Sequence, residues 1–169
     1  MIVFTIGTSE PFDRLVGVAD AVAEACRESV VVQGGRSRCR LERAELVDFL
    51  PYDELVALVS EARIVVTHAG AGSALLALGQ GKRPVLVPRL RRHAEAVDDH
   101  QVQFGRRLAE LGLAHFVDEP GNLPAFVCAL PDEDARPRPR TPSLGSALRA
   151  HLIDLLGPPS RDAAVEGRR

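Results

Sequence analysis

The chain has 169 residues, 46% hydrophobic and 26% charged, with 21 Lys plus Arg against 23 Asp plus Glu and a formal net charge of -2. At about 100 to 200 residues per domain, this length fits one core and excludes two full domains in the same chain. The near-even charge balance lacks the broad positive field of a dedicated nucleic-acid binder.

No apolar run approaches the roughly 18 residues of a membrane span, and Met1-Ile2-Val3-Phe4 shows neither a basic leader nor a cleavage site, so no targeting segment is expected. Cys26, Cys39 and Cys128 are odd in number, far apart and without a C-x-x-C pair. Neither a disulfide framework nor a zinc site is expected, and the setting reads as reducing and cytosolic.

Short runs of Val and Ile at 2–6, 30–32, 64–66 and 85–87 alternate with helical stretches, which predicts an α/β domain around a parallel sheet buried on both faces. Phe12, Leu15, Val16, Ala19, Val22, Ala23 and Cys26 keep helical spacing after the start signals at 9–11, predicting one helix over 11–28. A weaker run at 46–50 precedes Pro51, and Leu55, Val56, Val59 and Ala62 mark the next helix. The run at 64–66 leads into His68-Ala69-Gly70-Ala71-Gly72-Ser73 and an apolar stretch at 74–78, read as strand, glycine loop and short buried helix, closed by Gly81 and Pro84. After the strand at 85–87, a polar segment at 89–99 opens a helix that ends near Gly112, and 114–117 forms an edge strand. The domain is expected to end at 130. A Pro/Arg-rich linker follows over 131–143, then a helix over 144–157 and a disordered tail over 158–169.

In a doubly wound sheet, ligands gather beyond the C-terminal strand ends. The function-capable segments all fall there: Gly7, Thr8 and Ser9 after the first strand, Gln33-Gly34-Gly35 after the second, His68 through Ser73 after the central one, and 89–101 after the next. Gly70, Ala71, Gly72 and Ser73 can present backbone N–H groups at a helix start to phosphate oxygens, or simply make a tight turn. The loop is neither a G-x-G-x-x-G fingerprint, since Leu75 stands where the last glycine belongs, nor a P-loop. Within 88–101, Arg suits phosphate, and Glu95, Asp98, Asp99, His100 and Gln101 suit sugar hydroxyls; Asp98 or Asp99 can equally cap the following helix. Metal-ligand spacing is not diagnostic among His93, Glu95, Asp98 and His100, and no metal is expected. Arg136, Arg138 and Arg140 in the linker suit lipid phosphates or plain solvation.

Residues 2–15 (IVFTIGTSEPFDRL), 49–55 (FLPYDEL), 66–73 (VTHAGAGS), 81–84 (GKRP) and 88–101 resemble, in order and spacing, the donor-binding subunit of split glycosyltransferases. These belong to the capsule and exopolysaccharide type and are related to the donor subunit of the dolichol-linked N-acetylglucosaminyltransferase. The resemblance covers about 2–117. It implies a Rossmann-like half of a GT-B enzyme, like the family 28 C-terminal domain, completed by a membrane-associated acceptor-binding subunit. The implied reaction is inverting transfer from a UDP-sugar to a lipid-linked acceptor, with no cofactor and no obligatory metal. The chain itself would be cytoplasmic, reaching the inner face of the membrane through that partner.

Carried onto this sequence, the resemblance places Gly7, Thr8, Ser9, Gly70, Ala71, Gly72 and Ser73 at the diphosphate, with Arg89 assisting and Leu50 and Tyr52 at the base. Glu95, Asp98, Asp99, His100 and Gln101 then fall at the donor sugar, and His68 and Glu95 are the local catalytic candidates. Two departures stand out: the helix after the glycine loop lacks the ribose-holding Glu of many relatives, and Ala96 replaces a common His. A non-catalytic nucleotide-binding module is the alternative on the same scaffold.

Overall fold

The computed structural model describes residues 1–8 and 10–135. Ser9, the linker from 136 onward, the expected terminal helix and the tail lie outside the described residues. The apolar runs form six strands: β1 (Ile2–Thr5), β2 (Val30–Gln33), β3 (Glu45–Val47), β4 (Ile64–His68), β5 (Val85–Val87) and β6 (His115–Phe116). Helices α1 (Asp13–Val16), α2 (Ala19–Cys26), α3 (Tyr52–Glu61), α4 (Ala71–Gly79), α5 (His100–Glu110) and α6 (Leu123–Cys128) connect or cover them.

All pairings are parallel, in the order β3-β2-β1-β4-β5-β6. The strands read as continuous apolar runs because both faces are covered. Ile2, Phe4, Ile64 and Val66 pack with Leu15, Val22 and Val127 on one face, while Val3 and Val65 pack with Val59, Ala62 and Ala77 on the other. From β1 the chain runs outward to β3, then returns to β4 and runs outward to β6. The reversal falls between β1 and β4, where the outgoing loops diverge and leave a crevice.

The expected helix over 11–28 is broken into α1 and α2. The interruption is a turn at Gly17 and Val18: the Gly17 N–H bonds back to the Asp13 carbonyl at 2.8 Å, and the Val18 N–H to the Leu15 carbonyl at 3.4 Å. A Cβ on Gly17 would lie 3.0 Å from the Asp13 carbonyl oxygen, marking a tightened turn. The domain also runs past the expected boundary at 130. A 3-10 turn at Asp132–Ala135 follows α6, with Ala135 in the core and its carbonyl accepting from the Arg83 N–H at 2.6 Å.

The expectation of unpaired cysteines is overturned: Cys26 and Cys128 form a disulfide with Cα atoms 5.0 Å apart, across a sequence separation of 102. Spacing rules detect local pairs, whereas this pair meets because α2 and α6 share one face of the sheet. Cys39 is free, and burial beside Asp13 raises its thiol pKa. No helix among the described residues is long and apolar enough to cross a membrane.

Candidate functional site

The loops after β1, β2 and β3 are joined by Gln33. Its buried side chain accepts from the Thr5 hydroxyl at 2.8 Å and donates to the Gly7 and Asp48 carbonyls at 3.4 and 3.2 Å. Strand two ends in Gln rather than an acid, and the amide serves as a loop tie. Gly7 has φ +75° and Gly35 φ +54°, and a Cβ on Gly35 would fall 2.5 Å from the Gly7 carbonyl oxygen. Both the left-handed backbone and this close approach require glycine at 35.

After β4 the chain turns at Gly70, the boundary residue of α4, with extended φ -90° and ψ 140° and no capping side chain. Among the described residues, no side chain caps the first N–H groups of α4, which stand at a positive helix end. A Cβ on Gly72 would meet nothing within 4 Å, so this start opens outward. Gly72 and Ser73 line a groove of about 460 Å3 with Tyr52, Leu55, Leu75 and Leu76. Tyr52 is 70% exposed, and Leu50 just before it is half-buried.

His68 lies beneath these loops. A Cβ on Gly70 would fall 2.3 Å from its Nε2, and one on Gly7 would fall 3.1 Å from its Cε1, so the imidazole occupies the space both glycines vacate. Its Nδ1 is 3.5 Å from Thr67 Oγ1, whose proton goes to the Thr5 carbonyl at 2.6 Å. Burial, and then the nearby Arg89 charge, push the His68 pKa down to about 4. The ring is neutral near pH 7.

Arg89, at the end of β5, is 5% exposed. Its guanidinium donates to the Pro11 carbonyl, to Ile6 at 2.9 Å and to Glu10 at 2.8 Å, and lies 4.7 Å from the Phe12 ring centroid. These bonds hold the β1–α1 loop. Burial lowers the Arg89 pKa, with Glu95 and Glu10 working the other way. The side chain expected at the phosphates is thus turned into the protein.

The expected sugar loop divides in two. Glu95 accepts two bonds from Arg14, both 2.9 Å, and one from the Leu90 N–H at 3.0 Å. Burial works to raise its pKa, but Arg14 and the Leu90 N–H outweigh it and the carboxyl is held below its ordinary value. Gln101 is also buried, its Oε1 accepting from the Arg89 N–H at 3.1 Å. Asp98, Asp99 and His100 are exposed: Asp98 accepts from the His100 N–H at 3.0 Å and from its ring, and Asp99 accepts from the Arg91 N–H at 3.0 Å. Glu95 faces a cavity of about 560 Å3 with Glu10, Arg14, His93 and Ala96.

Gln33 falls in a loop that the sequence placed at the site edge, but its role as a tie between loops, like that of Arg14, was not signalled by residue type or spacing. Arg14 also donates to the Pro88 carbonyl at 2.9 Å, joining α1 to a loop more than seventy positions away. Among the described residues, no group of three or more His, Cys, Asp or Glu is placed to hold a metal.

A parallel sheet that reverses at β1 and β4, with a glycine-led helix start at the reversal, defines a doubly wound, Rossmann-like domain. The chain belongs to the glycosyltransferase family 28 C-terminal domain, whose pattern matches residues 1–151. It is 34% identical over 113 residues to the UDP-N-acetylglucosamine transferase subunit ALG13 of Eremothecium gossypii, covering 66% of this chain and 54% of the relative. The corresponding subunit of Yarrowia lipolytica is 39% identical over 56 residues, 33% of this chain and 26% of that one. The chain thus spans about half the length of the first curated relative it matches.

Among solved structures, the glycosyltransferase SnogD from Streptomyces nogalater superposes with a TM-score of 0.57 at 24% identity, covering 93% of this chain and 39% of that one. The calicheamicin glycosyltransferase CalG4 gives 0.56 at 19% identity, covering 91% and 37%. At these identities the likeness is one of fold.

Proposed function

We propose that this chain is the donor-binding subunit of a two-subunit glycosyltransferase, taking a sugar from a UDP-sugar to a lipid-linked acceptor with inversion and without a cofactor. Family membership supports the reaction class, and the ALG13 relatives, named as UDP-N-acetylglucosamine transferase subunits, support the donor and the need for a partner. Surface polysaccharide or glycolipid synthesis is the proposed setting. A membrane-associated acceptor-binding subunit completes the site and holds this chain at the inner face of the membrane.

The single observation that carries the reading is the uncapped start of α4 at Gly70, Ala71, Gly72 and Ser73, open to solvent at Gly72 and sharing His68 as a neighbour with Gly7. In transfer, the acceptor oxygen bonds to the anomeric carbon as the bond from that carbon to the diphosphate oxygen breaks. The acceptor proton goes to a base, and the new charge on UDP is met by donors already in place. Tyr52 and Leu50 border the base, while the exposed Asp98, Asp99 and His100 meet the sugar. Glu95, Gln101 and Arg89 hold the loops that present those groups. Glu95 has its carboxylate engaged by Arg14, so the neutral His68 or a group from the partner takes the proton.

Ligand-detected NMR on the purified chain with UDP, UDP-sugars, GDP and NAD tests the site. The UDP ligands are expected to bind in preference. Gly72→Val, whose added atoms enter open space, is expected to fold normally and to lose at least tenfold in affinity by obstructing the helix start. Unchanged UDP binding by this variant would place the donor elsewhere.

A further inference from the structure

The loop between β2 and β3 carries a pattern that donor binding does not use. Arg36, Arg38 and Arg40 alternate with Ser37, Cys39 and Leu41, and all three arginines are exposed while the intervening residues turn inward. Ser37 is 6% exposed; its Oγ accepts from the Phe12 N–H at 2.7 Å, and its own N–H bonds to the Gly34 carbonyl at 2.9 Å. Leu41 packs against the core, and Asp13 accepts the Arg38 N–H at 3.2 Å. Just beyond, Asp20 accepts the N–H groups of Glu42, Arg43 and Ala44 at 2.7, 2.9 and 2.8 Å. These carboxylates are engaged by backbone, so they fix the loop without pairing its guanidinium groups. Among the described residues, no carboxylate forms an ion pair with Arg36, Arg38 or Arg40.

We infer that this row of arginines is a contact surface for an anionic lipid bilayer. A single small anion needs a concave site, and among the described residues the three cavities of about 560, 460 and 480 Å3 are lined by others than these arginines. Protruding charges on a fixed loop fit a planar array of phosphates instead. The neighbouring loop supplies an apolar element: the Gly34 and Gly35 N–H groups bond to the Val47 and Asp48 carbonyls, both at 2.8 Å, and Phe49 follows at 54% exposure. An exposed aromatic beside unpaired arginines matches the headgroup zone, where the ring enters the interface and the cations meet phosphate. The formal net charge of -2 makes the attraction local and orients the domain by this loop. The inference does not rest on sugar transfer, because the contact needs neither nucleotide nor acceptor.

Sedimentation of the full chain with phosphatidylcholine vesicles, with and without phosphatidylglycerol, tests it. Binding is expected only to the anionic vesicles and weakens as salt rises. Each arginine at such a surface contributes about fivefold, so the Arg36→Gln, Arg38→Gln, Arg40→Gln triple variant is expected to lose on the order of a hundredfold in partitioning. Because these side chains are exposed, its melting temperature should match that of the parent. The Arg136→Gln, Arg138→Gln, Arg140→Gln variant serves as the control and should keep most of the binding; loss confined to that variant would overturn the assignment. Equal binding to neutral vesicles, or none to anionic ones, would also overturn it. A row that binds polyglutamate but not anionic vesicles would instead be a surface for an acidic protein.

Discussion

Replacing Arg89 with Met is expected to lower the stability of the domain by about 3 to 5 kcal/mol, because three carbonyls of the β1–α1 loop, that of Ile6 buried and those of Glu10 and Pro11 partly buried, lose their donor together. For a domain of this size that corresponds to a fall of roughly 10 °C or more in melting temperature. The methionine keeps most of the packing against Phe12, so the loss reports hydrogen bonds and charge. Arg89→Lys is expected to recover little, since one ammonium cannot reproduce a planar fork aimed at Ile6, Glu10 and Pro11. Nucleotide affinity should fall with stability, and saturating UDP should restore part of the melting temperature by binding the folded form. Thermal melts of the three proteins with and without UDP check this. A variant that melts like the parent yet no longer binds UDP would show that Arg89 acts on the ligand directly, against the buried geometry.

The same residue shows what was legible in the sequence. The β1, β2, β4 and β5 runs stood out because a strand covered on both faces is apolar throughout, and the glycine loop stood out because Gly70 and Gly72 interrupt a run of apolar residues. Arg89, Glu95 and Gln101 were recognisable as chemistry, but residue type does not reveal a partner. Their partners are the β1–α1 loop carbonyls, Arg14 and the Arg89 backbone, brought together only by the folded sheet. Cys26 and Cys128 were hidden for the same reason, and α6 because a six-residue helix with Pro near its start has too little periodicity to register. Asp98, Asp99 and His100 remain exposed, with local bonds to one another and to the Arg91 N–H. The segment therefore combines a buried, anchored framework with a solvent-facing rim.

His68 should give the domain a pH dependence that most surface histidines would not. Its pKa is about 4 in the folded chain against an ordinary 6.5, so between those values the unfolded chain binds the proton and the folded chain does not. Stability then rises with pH across this window and falls as pH drops from 6.5 toward 4. At 1.36 kcal/mol per pH unit the window amounts to roughly 3 kcal/mol. The carboxylates act lower: Arg63 holds Glu28 below its ordinary value, and at Glu95 Arg14 and the Leu90 N–H overcome the upward effect of burial. Their contribution is lost only as pH falls through those lowered values, which separates it from that of His68. Urea unfolding at pH 7, 5.5 and 4.5 should show the loss in the parent, and His68→Gln should flatten most of it while costing some stability at pH 7 through imperfect filling of the space beneath Gly7 and Gly70. Parallel pH profiles for the two proteins, or an imidazole titrating near 6.5 by NMR, would contradict the buried neutral ring. Because that ring fills the volume that Gly7 and Gly70 leave open, its protonation should disturb both loops, and UDP affinity is expected to decline only as the pH approaches about 4, where the folded chain itself takes up the proton.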